Sequence, residues 1–146
     1  MIRLFVDTNV VIDTFSHDRT EDWPYSEAIT NLSAFSDSVK ICISIKSVAD
    51  ISYVGGKIVG RTVVKTTLKK MLNDCKIISL EDISLYEALN SPCPDFEDAL
   101  QIYCAETACC DYIITRNKKH FSGYTDIPVY SPKEFMQKLK AVQTVN

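Results

Sequence analysis

Short runs of consecutive apolar residues alternate along this chain with longer stretches in which apolar positions recur every three or four residues. Ile2–Val6, 76–80 and 112–115 are of the first kind, and Val39–Ser44 alternates as a strand does. These four segments, with a short fifth at 128–130, are expected to be strands. Helices are expected at 10–16, 25–36, 47–54, 59–75, 83–90, 95–109 and 132–140, the third interrupted by Gly55-Gly56. The segment from Val59 to Cys75 places Val64, Leu68, Met71, Leu72 and Cys75 on one face. The segment from Asp95 turns Phe96, Ala99, Leu100, Tyr103 and Cys104 inward. Strands that are apolar throughout and alternate with helices imply a parallel sheet covered on both faces, hence an α/β fold. In such a sheet, ligands bind beyond the carboxyl ends of the strands, where the strand order reverses. Asp7 and the segment Thr115-Arg116-Asn117 both follow a strand end.

Composition narrows the class. The 146 residues are 46% hydrophobic and 24% charged, as in an ordinary soluble domain, and one domain over 1–146 is expected. No apolar run approaches the roughly 20 residues that span a bilayer. The opening "MIRLFVD" has too short an apolar run for a secretory leader, so a cytoplasmic protein is expected. Six cysteines lie mostly inside apolar periodic segments, without a CxxC pair and with only two histidines. Buried reduced thiols fit this better than disulfides or structural zinc. The net charge of −3 argues weakly against a protein coated in nucleic acid, but leaves room for a local basic patch. Neither GxGxxG nor GxxxxGK[ST] occurs, which ranks a nucleotide-binding domain last.

Four polar positions interrupt this pattern, and each has a plain structural reading. Asp7 suits a helix N-cap after the strand. Asp50, in "SIKSVADISYV", suits the start of a helix, where the dipole favours an acid. In "PDFEDALQ", Asp95 is a good N-cap with Asp98 three residues on, on the same helix face. "ITRNKKHF" reads as a loop. Taken together, they would gather carboxylates and a carboxamide at one sheet edge. Such charges repel and raise one another's pKa unless a cation neutralises them. Oxygen-only ligands suit Mg²⁺ or Mn²⁺.

The segments "FVDTNVVID", "SIKSVADISYV", "DFEDALQIYCAETACCDYIITRNKKHF" and "IPVYSPKEF", in this order, resemble the PIN-domain family, and specifically its small bacterial toxins of the VapC type. The resemblance implies a three-layer α/β/α, Rossmann-like sandwich around a five-stranded parallel sheet in order 3-2-1-4-5. It implies a metal-dependent endoribonuclease acting on RNA, with Mg²⁺ or Mn²⁺ as cofactor and a cognate antitoxin as partner. Homodimers are also common in the family. Carried over by position, Asp7, Asp50 and Asp98 become the catalytic acids. Asp7 and Asp98 would hold the ion, with Asp50 ligating it or polarising its water. Asn117 is a further ligand through its carbonyl oxygen. Asn9, Asp95 and Thr115 take supporting positions, Asp95 serving equally as the helix cap. Three positions depart from the pattern: Asp50 where many members have Glu, Asn117 where many have Asp, and His120 where an acid often precedes the Phe. The lost negative charge favours one metal over two.

Arg116, Lys118, Lys119 and His120 flank the site and are expected to contact RNA. Lys57, Arg61, Lys65 and Lys69 recur every four residues, as a phosphate-binding stripe or as a solvated helix face. Trp23 is expected to be exposed, suited to an antitoxin or dimer contact. Two other readings stand beside the toxin: a housekeeping PIN ribonuclease in RNA processing, and a degenerate PIN module that binds RNA or protein without cutting.

Overall fold

The structure, a computed structural model, describes residues 1–145, the side chain of Ile83 excepted. The elements run β1 (Ile2–Val6), α1 (Thr8–Ile12), a 3₁₀ turn (His17–Arg19), α2 (Trp23–Phe35), β2 (Val39–Ser44), α3 (Ile45–Val59) and α4 (Arg61–Asp74). They continue with β3 (Cys75–Ile78), α5 (Asp82–Leu89), α6 (Phe96–Thr107), β4 (Tyr112–Ile114), α7 (Lys118–Phe121), β5 (Val129–Tyr130) and α8 (Pro132–Val145). All strand pairs are parallel, in the expected order β3-β2-β1-β4-β5. Alternate strand residues serve opposite faces. Leu4, Val6, Ile41, Ile43 and Ile114 enter a core with residues of α1, α2, α3, α4 and α8. Phe5, Cys42, Ile78 and Ile113 enter a second core with residues of α5, α6 and α7. Burial on both faces is why these strands are apolar throughout. All six cysteines are free, and Cys42, Cys93, Cys104 and Cys110 are buried, as expected for reduced thiols. Among the described residues, no helix is long and apolar enough to cross a membrane.

The strands fall within two residues of their expected positions, whereas several helix ends differ for local reasons. α1 starts at Thr8, whose N–H is accepted by the Asp7 side chain, and is over by Ile12, where 10–16 is expected. α3 is not interrupted at Gly55-Gly56. A Cβ on Gly55 would stand 2.9 Å from Val64 Cγ2 and 3.4 Å from the Phe15 ring, so glycine there admits close packing of α4 and Phe15. The break falls instead at Gly60, whose φ of +88° is open to glycine. The helix expected over 59–75 therefore begins at Arg61. The basic residues split as a result, with Lys57 on α3 over the Tyr53 ring and Arg61, Lys65 and Lys69 on α4.

Leu72 and Phe96 are exposed rather than inward, and Cys75 belongs to β3. Trp23 is half-buried and lies flat on His17, ring centroids 3.4 Å apart, so it is not the bare surface residue expected. Residues 118–121 form a helical turn rather than a loop, fastened by the fully buried Phe121.

Candidate active site and metal centre

The sheet order reverses between β1 and β4, which are neighbours although six α-helices and two strands separate them in sequence. Asp7 leaves β1 and Thr115 leaves β4 at this point, and Ser44 closes β2 beside them. A cleft of about 330 Å³ opens there. Its walls include Asp7, Asn9, Asp50, Asp98 and Asn117, together with Thr8, Lys46, Glu97 and Gln101. The three proposed catalytic acids and two of the proposed carboxamides thus share one cavity.

Asp7 is almost wholly buried, at 7% exposure, and is held from three sides. Its Oδ1 accepts from the Thr8 N–H (2.9 Å) and from Gln101 Nε2 (3.1 Å), and its Oδ2 accepts from the Thr115 hydroxyl (2.8 Å). A carboxylate has about four lone-pair directions, so one remains, on Oδ2. Gln101 is fixed in turn. Its Oε1 accepts the Ser44 hydroxyl (2.6 Å), and Nε2 also donates to Ser47 Oγ (2.9 Å). Only this amide orientation serves both the Asp7 carboxylate and Ser44. Thr115 therefore fixes one oxygen of Asp7, and Gln101, on α6, ties Asp7 to the start of α3.

Asp98 sits in the first turn of α6. Its N–H is capped by Asp95 Oδ1 (3.0 Å), so Asp95 acts as the helix cap. The Asp98 carboxyl is shifted above its usual range by burial first, then by the charges of Asp95 and Asp7, with His120 pulling the other way. His120 Nδ1 stands 3.1 Å from Asp98 Oδ2. Since Asp98 must be ionised to hold a cation, Mn²⁺ affinity should fall on acidification at a higher pH than for an ordinary carboxylate. A His120→Ala variant loses the one influence that favours ionisation. Its affinity midpoint, followed by Mn²⁺ titration across pH, is expected to move upward; a midpoint that stays put or moves down would disconnect His120 from Asp98.

Asp50 is paired on its own helix with Lys46, whose ammonium also lies 3.3 Å from Glu97 Oε2. Burial works against the Lys46 charge, and the hydrogen bonds and charges of Asp50 and Glu97 outweigh it, so its pKa is raised. Asn117 begins α7 without using its side chain as a cap, which leaves the carboxamide to the cleft.

The donors present are oxygens on rigid element ends, with one open lone pair on Asp7 and mutual repulsion between Asp7 and Asp98. They fit a small hard cation. Among the described residues, no three Asp, Glu, His or Cys side chains converge closely enough to chelate one ion. A cation held here would rest on one or two carboxylates and complete its shell with water.

The expected RNA contacts divide. Arg116 turns away from the cleft toward Asp13, its Nε 2.7 Å from Oδ2 in an ion pair that is off the hydrogen-bond axis. Lys118 pairs with Glu134 on α8 (2.9 Å). Lys119 and His120 line a second, mostly apolar cavity of about 240 Å³ that shares Asp98 with the cleft. Asn9 faces the cleft and accepts from Arg19 Nη2 (3.0 Å).

Four residues of the site are absent from the sequence reading: Lys46, Glu97, Gln101 and Asp13. Gln101 carried a signal, since it lies one turn beyond Asp98 on a face that has to be buried, and a buried carboxamide needs partners. Asp13 ends the apolar "VVID" and looks like an ordinary helix end.

A PIN-domain family model matches residues 3–119. Ribonuclease VapC1 of Aquifex aeolicus (strain VF5) is 26% identical over 141 residues, covering 93% of this chain and 94% of that protein. A toxin–antitoxin complex from Klebsiella pneumoniae superposes with a TM-score of 0.63 at 23% identity, over 88% of this chain and 97% of that one. VapBC2 from Rickettsia felis, solved bound to a DNA fragment from its promoter, gives 0.63 at 14% identity over 89% and 98%. With the model spanning most of the sequence, the chain belongs to the PIN-domain family.

Proposed function

We propose that this protein is a Mg²⁺- or Mn²⁺-dependent endoribonuclease, the toxin of a toxin–antitoxin pair. The observation that carries the reading is the meeting of Asp7, Asp50, Asp98 and Asn117 in one oxygen-lined cleft at the switch point of the sheet. The resemblance in sequence to a protein named ribonuclease VapC1 supports RNA as substrate. Fold neighbours solved as toxin–antitoxin complexes support an antitoxin partner.

Asp7 and Asp98 would hold the cation. Thr115 and Gln101 keep Asp7 in a single orientation that leaves one Oδ2 lone pair free to hold a cation. Asn117 adds a neutral oxygen, and Asp50 orients the attacking water or takes its proton. The bound cation supplies Lewis-acid stabilisation of the charge that builds on the phosphate and makes water a competent nucleophile. In-line attack on the phosphodiester then leaves 5′-phosphate and 3′-hydroxyl ends. Purified protein is expected to cut a structured RNA with Mg²⁺ or Mn²⁺ and to stop when EDTA removes the ion. Folded protein that cuts with neither metal would instead be an RNA- or protein-binding module.

A further inference from the structure

Lys46 is out of place by the rules of its own helix. It is the second residue of α3, where the helix dipole disfavours a cation. It precedes Asp50 by four residues, the weaker orientation for an i,i+4 ion pair. The helix start is already served by Ser44, which accepts the Ser47 N–H (3.0 Å). Nor does the side chain run out to solvent. It is only 30% exposed, with its ammonium between Asp50 and Glu97 in the wall of the acidic cleft. Departures from local preference concentrate at functional sites, and Lys46 stands in the wall of one.

The charges of the cleft suggest what that service is. Asp7, Asp50, Glu97 and Asp98 line it, while Asn117 contributes no charge. One divalent ion beside Asp7 and Asp98 leaves the Asp50 side still anionic, and Lys46 is the cation already there. We propose that Lys46 is the built-in second cation of the cleft. It takes the place of a second divalent ion on the Asp50 side and, when RNA enters, donates to a non-bridging oxygen of the phosphate being cut. An ammonium has three N–H donors, so Lys46 can keep Asp50 with one and reach phosphate with another. The phosphate contact rests on the ribonuclease reading; the neutralisation of Asp50 does not.

The first test counts Mn²⁺ ions bound to the protein alone, by calorimetry and by loss of the free-ion paramagnetic signal. Wild type is expected to bind one ion, Lys46→Arg one, and Lys46→Met two, because Asp50 and Glu97 are then free for a metal. Lys46→Gln serves as a second neutral variant should Lys46→Met fold poorly. An ion count that is the same in wild type and the neutral variants overturns the proposal, whatever the number. In the cutting assay, Lys46→Met should lose about 100-fold in kcat despite its extra ion, as when one preorganised donor is removed from a transition state. It should also bind uncut RNA more weakly in EDTA. Wild-type cutting by Lys46→Met overturns the phosphate contact. Because the ion count involves no RNA, this proposal can fail while the ribonuclease reading stands. That reading fails only if wild type does not cut.

Discussion

An Asp98→Asn variant is expected to lose metal-dependent RNA cutting by about 10³-fold, roughly 4 kcal/mol of transition-state stabilisation, while remaining at least as stable as wild type. The activity loss follows from charge. Asn keeps an oxygen at the same position but removes one of the two carboxylates proposed to hold the ion, and the Asn117 proposed beside them is already a neutral donor. The stability follows from the sign of the Asp98 shift. Its folded pKa is raised by burial and by Asp95 and Asp7, so the ionised form is less favoured in the folded protein than in the unfolded chain. At pH values above the folded pKa, that disfavoured charge costs stability, and a neutral amide removes the cost. The loss of the His120 contact offsets part of this gain, because His120 is the one neighbour that favours the charge. Thermal unfolding beside the cleavage assay separates chemistry from folding. A variant that still cuts at the wild-type rate would remove Asp98 from the mechanism, and one that melts well below wild type would mean that His120–Asp98 pairing outweighs the repulsion.

The trade of stability for charge is also the reason the site was partly legible in the sequence. Asp7 interrupts an apolar run just where a buried strand ends, and Asp98 follows a helix cap; both positions are set by local rules. The strands were legible because burial on two faces leaves no polar position within Leu4–Val6 or Tyr112–Ile114. Helix ends were less so. Gly55-Gly56 carries the composition of a break, yet the reason for glycine is the approach of Val64 and Phe15, which no local window contains. The basic stripe was misread for a related reason: the turn at Gly60 puts Lys57 on a different helix from Arg61 and Lys65, although all three line one cavity. Arg116 and Lys118 were legible as basic residues near the site, but their partners, Asp13 and Glu134, come from distant parts of the chain. Position along the sequence revealed the neighbourhood of each side chain and not its direction.

Asp13 is where that missing direction matters most. It is fully buried, at the end of α1, with Arg19 Nε 2.9 Å from Oδ1 and Arg116 Nε 2.7 Å from Oδ2. Arg19 also donates to Asn9, and Arg116 precedes Asn117, so this one carboxylate braces both asparagines of the cleft. An Asp13→Asn variant should therefore cost about 3 kcal/mol, the lower end of the range for breaking a buried ion pair, because each guanidinium is about one-third exposed and can recover some water. The second step of the test has the opposite sign. Arginine cannot shed its proton, so Asp13→Asn leaves two cations facing each other across a neutral amide. Adding Arg116→Met to Asp13→Asn removes one of them and should return about 1 kcal/mol. Urea midpoints at constant m-value measure both steps. If the double variant is instead less stable than Asp13→Asn, the two arginines are held by contacts other than Asp13. If Arg116→Met alone leaves stability unchanged but raises KM for RNA, Arg116 serves the substrate rather than the brace.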